Sequence, residues 1–248
     1  MRKIAIITGS SRGIGAATAK LAAAAGYDVC VNYASDANAA NRIANDCKAI
    51  GVRAFASKAD ISDSGQVRTL FSECDAELGK LTLLVNNAGI VGHSSKLVDL
   101  RNDDLLATYA INVFGTIYCC QEAIKRMARS EGGDGGAIVN ISSIAAKLGS
   151  PNEYIHYASS KAAVETLTIG LSKEVGPEGI RVNCIQAGTV NTEIHATSGN
   201  PDRPKMYASL APLGRVGEPA DIAETAMWLA SDKAAFTTGA IISVSGGV

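Results

Sequence analysis

Several features are scarce or missing in this 248-residue sequence, and each absence removes a class of protein. Lys and Arg number 23 against 24 Asp and Glu, a formal net charge of -1. No basic excess is available to neutralise a phosphate backbone, so no nucleic-acid partner is expected. No run of about 18 uncharged apolar residues occurs, which excludes a membrane-spanning helix. The apolar stretch Ile4–Thr8 is too short for a signal peptide, and a cytoplasmic location is expected. Cys30, Cys47, Cys74, Cys119, Cys120 and Cys184 form no C-x-x-C pair and read as buried free thiols. His93, His156 and His195 lack ligand-like spacing, so no metal site is expected. Proline, at 6 residues, is too rare for a low-complexity or collagen-like chain.

What the chain does have is apolar residues in short runs. They make up 47% of it, against 19% charged, an ordinary balance for a chain able to bury a sizeable core. Ile4–Thr8, Asp28–Asn32, Arg53–Ser57, Leu81–Val85, Ala137–Ile141, Arg181–Ile185 and Ala240–Val244 read as strands. Most are rich in Val and Ile without polar alternation, as in a parallel sheet covered on both faces. Helical patterns fall between them, near 14–25, 36–49, 63–78, 103–130, 154–175 and 218–230. This alternation predicts a single doubly wound α/β domain over 1–248. From Thr189 to about Arg215 the chain is polar, carries Pro201, Pro204 and Pro212, and loses its periodicity. We read that segment, 189–215, as a lid over a site.

The first strand runs into Thr8-Gly9-Ser10-Ser11-Arg12-Gly13-Ile14-Gly15 and then an Ala-rich helix. Glycines here allow a tight bend and let backbone N–H groups approach an anion, with a helix N-terminus behind them. The spacing G-x-x-x-G-x-G departs from the generic G-x-G-x-x-G, but the strand–turn–helix context is that of a dinucleotide site. The turn resembles the cofactor loop of the short-chain dehydrogenase/reductase family, T-G-x-x-x-G-x-G. The resemblance extends through almost the full chain. Asn86-Asn87-Ala88-Gly89 follows the fourth strand, Tyr157-Ala-Ser-Ser-Lys161 matches Y-x-x-x-K, and Asn112, Ser143 and Gly246-Gly247 fall in family-like order. It implies a Rossmann-type α/β fold, with a seven-stranded parallel sheet in order 3-2-1-4-5-6-7 and helices on both faces. It also implies an oxidoreductase moving hydride between a nicotinamide cofactor and a small carbonyl or secondary alcohol. A homotetramer built from the helices near 103–130 and 154–175 is implied as well. Similar members are 3-oxoacyl-acyl-carrier-protein reductases and glucose dehydrogenases.

Tyr157 and Lys161 lie four apart and so share one helix face. A phenol titrates near pH 10, and a neighbouring ammonium favours the phenolate, which suits general acid/base work at neutral pH. Tyr154 has Ala158, not lysine, at the same offset. The family resemblance gives Lys161 a second role on the nicotinamide ribose and gives Asn112 a water linking that lysine to solvent. A hydroxyl at the end of the fifth strand would orient the substrate oxygen; the resemblance selects Ser143, with Ser142 as the alternative. Gly9, Ser11, Arg12, Gly13, Ile14, Gly15, Asn87, Ala88 and Gly89 are the expected cofactor contacts, with Asp60 at the adenine. In Ala187-Gly188-Thr189-Val190-Asn191-Thr192, where the family has P-G-x-x-x-T, Gly188, Val190 and Thr192 complete the set.

The second strand ends without an acid, and Arg12 can pair with a phosphate through its planar fork, so NADP(H) is expected over NAD(H). Lys125, Arg126 and Arg129 are candidates for docking an acidic carrier protein, with Glu178 and a solvated helix face as the ordinary explanation. A non-catalytic dinucleotide-binding redox sensor is the contrasting reading, and the Tyr157/Lys161 pair argues against it.

Overall fold

The computed structural model describes residues 3–193, 209 and 211–248. Its centre is a parallel sheet of seven strands in the order β3-β2-β1-β4-β5-β6-β7. The strands are β1 (Lys3–Ile7), β2 (Tyr27–Tyr33), β3 (Ala54–Lys58), β4 (Leu83–Asn86), β5 (Gly136–Ser143), β6 (Ile180–Ala187) and β7 (Ile241–Val244). Between them run α1 (Gly13–Ala24), α2 (Ala37–Ala49), α3 (Ser64–Glu77), α4 (Asn102–Tyr109), α5 (Thr116–Met127), α6 (Ala145–Leu148), α7 (Ile155–Val175) and α8 (Pro219–Ala230).

The uniform apolarity of the strands follows from burial on two sides. Side chains alternate across a strand, so Ile4 and Ile6 join one core cluster, with Leu70 and Phe71 of α3, Cys119 of α5 and Leu171 of α7. Ala5 and Ile7 join the other, with Ala16 and Ala19 of α1, Ile43 of α2 and Ile222 of α8. Burying a side chain the size of isoleucine contributes about 1.5–3 kcal/mol, and all four of these β1 residues are buried. The six cysteines are all free and buried.

The expected helix over 103–130 is broken. After α4, residues Ala110–Gly115 widen into a π turn before α5 begins. Close packing at Gly115 accompanies the break: a Cβ there would stand 2.7 Å from Ile61 Cδ1 and 2.9 Å from the Ile61 carbonyl oxygen. Apolar periodicity cannot register one extra residue in a turn, and such turns recur at functional sites. The loop after β5 is also more structured than a bulge, closing through α6 and left-handed backbone at Ser150 and Asn152. Residues 194–208 and 210, most of the expected lid, lie outside the described residues.

Candidate active site

The carboxyl ends of the strands carry a cavity of about 570 Å³, bordered by the glycine turn, Asn87–Val91, Ser143, Tyr157, Lys161 and Gly188–Thr192. Such ends are where doubly wound sheets place ligands.

The glycine turn is held by hydrogen bonds from three strands. Thr8 Oγ1 accepts the N–H groups of Asn87 and Ala88, each at 3.0 Å. Asn87 Nδ2 returns bonds to the carbonyls of Thr8 (2.9 Å) and Gly9 (3.1 Å). Asn32, buried in β2, accepts the Gly9 N–H at 3.1 Å and donates to the Ala59 carbonyl at 3.1 Å. Gly9 has φ 61° and a Cβ there would lie 2.9 Å from Ala88 Cα; one on Gly15 would lie 2.5 Å from Asn87 Nδ2. At Gly13, φ 55°, the nearest atom to such a Cβ is Thr192 Cγ2 at 3.3 Å. Arg12 precedes α1 without a capping side-chain bond, and the first turn holds no acid. That leaves early N–H groups of α1 for an anion. The cradle fits a dinucleotide pyrophosphate.

At the cofactor end, neither Asp36 nor Asp60 stands at the tip of β2, which ends at Tyr33. The Asp36 carboxylate accepts the Ala39 N–H at 2.8 Å as the cap of α2. Asp60 borders the cavity while its Oδ1 accepts the Ser62 N–H and hydroxyl at 2.9 and 2.8 Å. Arg12 Nη1 stands 3.5 Å from Glu193 Oε2, both side chains more than half exposed.

Tyr157 and Lys161 rise from successive turns of α7, with Lys161 Nζ 5.8 Å from the centre of the Tyr157 ring. The lysine is buried and donates to the Ile141 carbonyl at 2.9 Å. Burial pulls its pKa from 10.5 down to about 8, opposed by the Cys184 thiol nearby. Asn112, in the π turn, clamps the neighbouring segment: its Oδ1 accepts the Ile90 N–H and its Nδ2 donates to the Ile90 carbonyl, both at 2.9 Å. The same amide donates to Ser160 Oγ at 3.0 Å. Gly89 sits where these groups converge, since a Cβ there would be 3.1 Å from Asn112 Oδ1 and 3.3 Å from Lys161 Nζ.

The two serines ending β5 face opposite ways. Ser142 is buried and donates to Glu165 Oε1 at 2.7 Å. Ser143 is half-buried at the cavity wall, its Oγ accepting the Ala145 N–H at 3.2 Å. Tyr154 is buried and Tyr157 half-buried. Ala187, standing where the family has proline, is held by the ladder: its carbonyl accepts the Ile144 N–H at 2.9 Å. Gly188 permits a close approach to β7's end, because a Cβ there would lie 2.6 Å from Ser245 Cα. Val190 bridges to Gly217. Lys125 and Arg126 are taken up by Glu122 and Asp75, at 2.7 to 2.8 Å.

Sequence reasoning missed Asn32, Glu165 and Ser160. Asn32 had a visible signal, a polar residue in an apolar strand bordering the glycine turn. The other two acquire their roles only through partners 23 and 48 residues away.

A doubly wound sheet with an anion cradle after its first strand, and a tyrosine, lysine and serine on one wall, defines a dinucleotide-dependent oxidoreductase. The chain belongs to the short-chain dehydrogenase/reductase family and is an enzyme acting on CH–OH and C=O groups. A family model described as enoyl-(acyl carrier protein) reductase matches residues 9–248. The chain is 47% identical over 244 residues to the uncharacterized oxidoreductase YgfF of Escherichia coli strain K12, covering 98% of this chain and 99% of that one. It is 36% identical over 250 residues to the 3-oxoacyl-[acyl-carrier-protein] reductase FabG of Staphylococcus aureus, covering 100% and 98%. A short-chain dehydrogenase from Burkholderia cenocepacia J2315, solved in complex with NADP, superposes with TM-score 0.90 at 33% identity, covering 99% of this chain and 97% of that one. A blue fluorescent protein from a metagenomic library, in complex with NADPH, gives TM-score 0.90 at 35% identity, again covering 99% and 97%. No helix among the described residues is long and apolar enough to cross a membrane.

Proposed function

We propose that this enzyme interconverts a small carbonyl compound and its secondary alcohol with NADP(H), using Tyr157 as general acid/base. The observation that carries the reading is the convergence of Tyr157, the buried Lys161 ammonium and the Ser143 hydroxyl on the cavity that holds the glycine turn. In reduction, Ser143 donates a hydrogen bond that orients the substrate oxygen, and the Tyr157 hydroxyl gives that oxygen its proton. Lys161 favours the resulting phenolate and also serves the nicotinamide ribose hydroxyls. Asn112 keeps a water in reach of Lys161 so that the proton is replaced. The bound nicotinamide supplies or accepts the hydride. Asp60 takes the adenine, Thr192 the carboxamide, and Asn87, Ala88 and Gly89 line the ribose side.

Arg12 and the acid-free tip of β2 support NADP(H) over NAD(H), as do the solved relatives holding NADP and NADPH. Ile90, Val91, Ile144, Ala145, Leu148 and Tyr154 border the cavity near the reactive groups, which supports an uncharged substrate. The segment 189–215 acts as the lid of one domain spanning 1–248. The working form proposed is a cytoplasmic homotetramer; exposed Leu106, Phe114, Ile169, Trp228 and Phe236 support the assembly, being apolar side chains left for a neighbouring subunit to cover.

Turnover of two phenylalanine variants tests the reading. Tyr157→Phe removes the proton donor and keeps the ring, so turnover falls by about 10²–10⁴-fold or more while fold and NADPH affinity survive. Tyr154→Phe, lacking a lysine four residues on, costs much less. Near-full activity in Tyr157→Phe, or its loss only in Tyr154→Phe, would sink the assignment.

A further inference from the structure

We propose that Glu165 is a positioning residue for the catalytic set, an inference that rests on the roles given above to Ser143 and Tyr157. Tyr157, Lys161 and Glu165 recur every four residues along α7 and share one face. Opposite that face, Ser142, Gln186 and Ser243 are register partners across β5, β6 and β7. Side chains in one such row leave the same face of the sheet. Glu165 Oε1 accepts both the Ser142 hydroxyl, at 2.7 Å, and Gln186 Nε2, at 2.9 Å. Gln186 Oε1 in turn accepts the Ser243 hydroxyl at 2.6 Å. One carboxylate therefore ties three strand ends to the catalytic helix.

The row directly beyond this one carries the site. Ser143 follows Ser142, and Ala187 and Gly188 follow Gln186. Two further contacts join β5 to α7 at the same level: Lys161 Nζ donates to the Ile141 carbonyl at 2.9 Å, and the single Ser142 O–H, directed at Glu165, also lies within 3.2 Å of the Lys161 carbonyl. Together these bonds set how far the Ser143 hydroxyl stands from Tyr157. Glu165 does not border the cavity and so acts only through its neighbours. Hydrogen bonds to a carboxylate are among the stronger ones, and catalysis tolerates little displacement of reacting groups.

The test is steady-state reduction of ethyl acetoacetate by NADPH, with NADPH affinity measured separately by titration calorimetry. A displacement of about 1 Å can cost on the order of 10²-fold, so Glu165→Ala lowers kcat by about tenfold or more and leaves NADPH affinity unchanged. Glu165→Gln, which keeps an oxygen acceptor in place, restores most of kcat. Ser142→Ala removes the same bond with little change in volume, and it carries the test if Glu165→Ala fails to fold. Combining the two alanine substitutions costs clearly less than the sum of the single losses, because both break the Ser142–Glu165 bond. Wild-type kcat in the alanine variants, no rescue by Glu165→Gln, or additive losses would each overturn the proposal. Tyr157→Phe is measured alongside: if it is inactive while Glu165→Ala turns over normally, only the Glu165 inference falls. Full activity in Tyr157→Phe removes the footing of both.

Discussion

In the proposed reaction Lys161 serves through an ammonium buried beside a phenol, and that burial also makes its charge easy to lose. Its pKa is drawn down to about 8 by burial, so the group is charged below that pH and neutral above it. Loss of the charge removes support for the phenolate and makes Tyr157 a weaker acid. The pH profile of kcat/KM for reduction, which reports the free enzyme, is therefore expected to fall as pH rises through about 8. Lys161→Met should be slow at all pH values and lack that limb. A wild-type profile flat to well above pH 8 would assign the lysine another role. Arg12 carries the second residue-scale prediction. Its exposed pairing with Glu193 is of a kind worth about 0.2–1 kcal/mol and is readily exchanged for a phosphate, whose charge-assisted bond contributes roughly 1–3 kcal/mol. Arg12→Ala should weaken NADPH about ten- to a hundredfold and barely change NADH, as read by calorimetry. Equal losses for both cofactors would mark the residue as structural.

Among the elements, the glycine turn is the one whose sequence and geometry agree most closely. A Cβ on Gly9 or Gly15 would meet backbone or neighbouring polar atoms at under 3 Å, so substitution there disturbs folding as well as binding. Gly13 is the cleaner probe, because only the Thr192 side chain stands near it. Gly13→Val should yield a folded protein with strongly reduced NADPH affinity, since the β-branched side chain fills the cradle and strains a left-handed backbone. Unchanged affinity in a folded variant would take the pyrophosphate out of this turn. The turn was legible because its constraint is local: strand, bend and helix start lie within thirteen residues, Lys3 to Gly15. The π turn at Ala110–Gly115 was not, because the contacts that accompany it, Gly115 packed against Ile61 and the Asn112 amide bound to Ile90 and Ser160, are made with residues distant in sequence.

For the whole molecule, function depends on two long crossovers delivering their ends to one edge of the sheet. The serine of β5 and the tyrosine and lysine of α7 lie close in sequence, but the turn after β1 that completes the cavity is more than a hundred residues away from them. The wall they share is apolar around the reactive groups, which yields a prediction about substrates. A charged group against the apolar part of that wall would lose hydration, and the Lys161 ammonium is already engaged with the Ile141 carbonyl. Ethyl acetoacetate should accordingly have a much higher kcat/KM than acetoacetate, which presents the same ketone beside a carboxylate. The comparison is made at fixed NADPH and pH 7. Equal rates, or a preference for the acid, would show that a cation of the lid reads the substrate.

The order of elements, the doubly wound class, the glycine turn and the Tyr157–Lys161 pair follow from the sequence by itself. Each is set by interactions within a few residues or by a simple periodicity, and the strand order 3-2-1-4-5-6-7 that the family resemblance implies is the order of the sheet. Which serine faces the cavity was decided by tertiary structure. Ser142 and Ser143 are adjacent and chemically identical, and only the pleat of β5 against α7 buries one hydroxyl on Glu165 and leaves the other half-buried at the cavity wall. The depressed pKa of Lys161 was decided there too, because desolvation is a property of surroundings assembled from β5, β6 and α7 and is absent from any local stretch of chain.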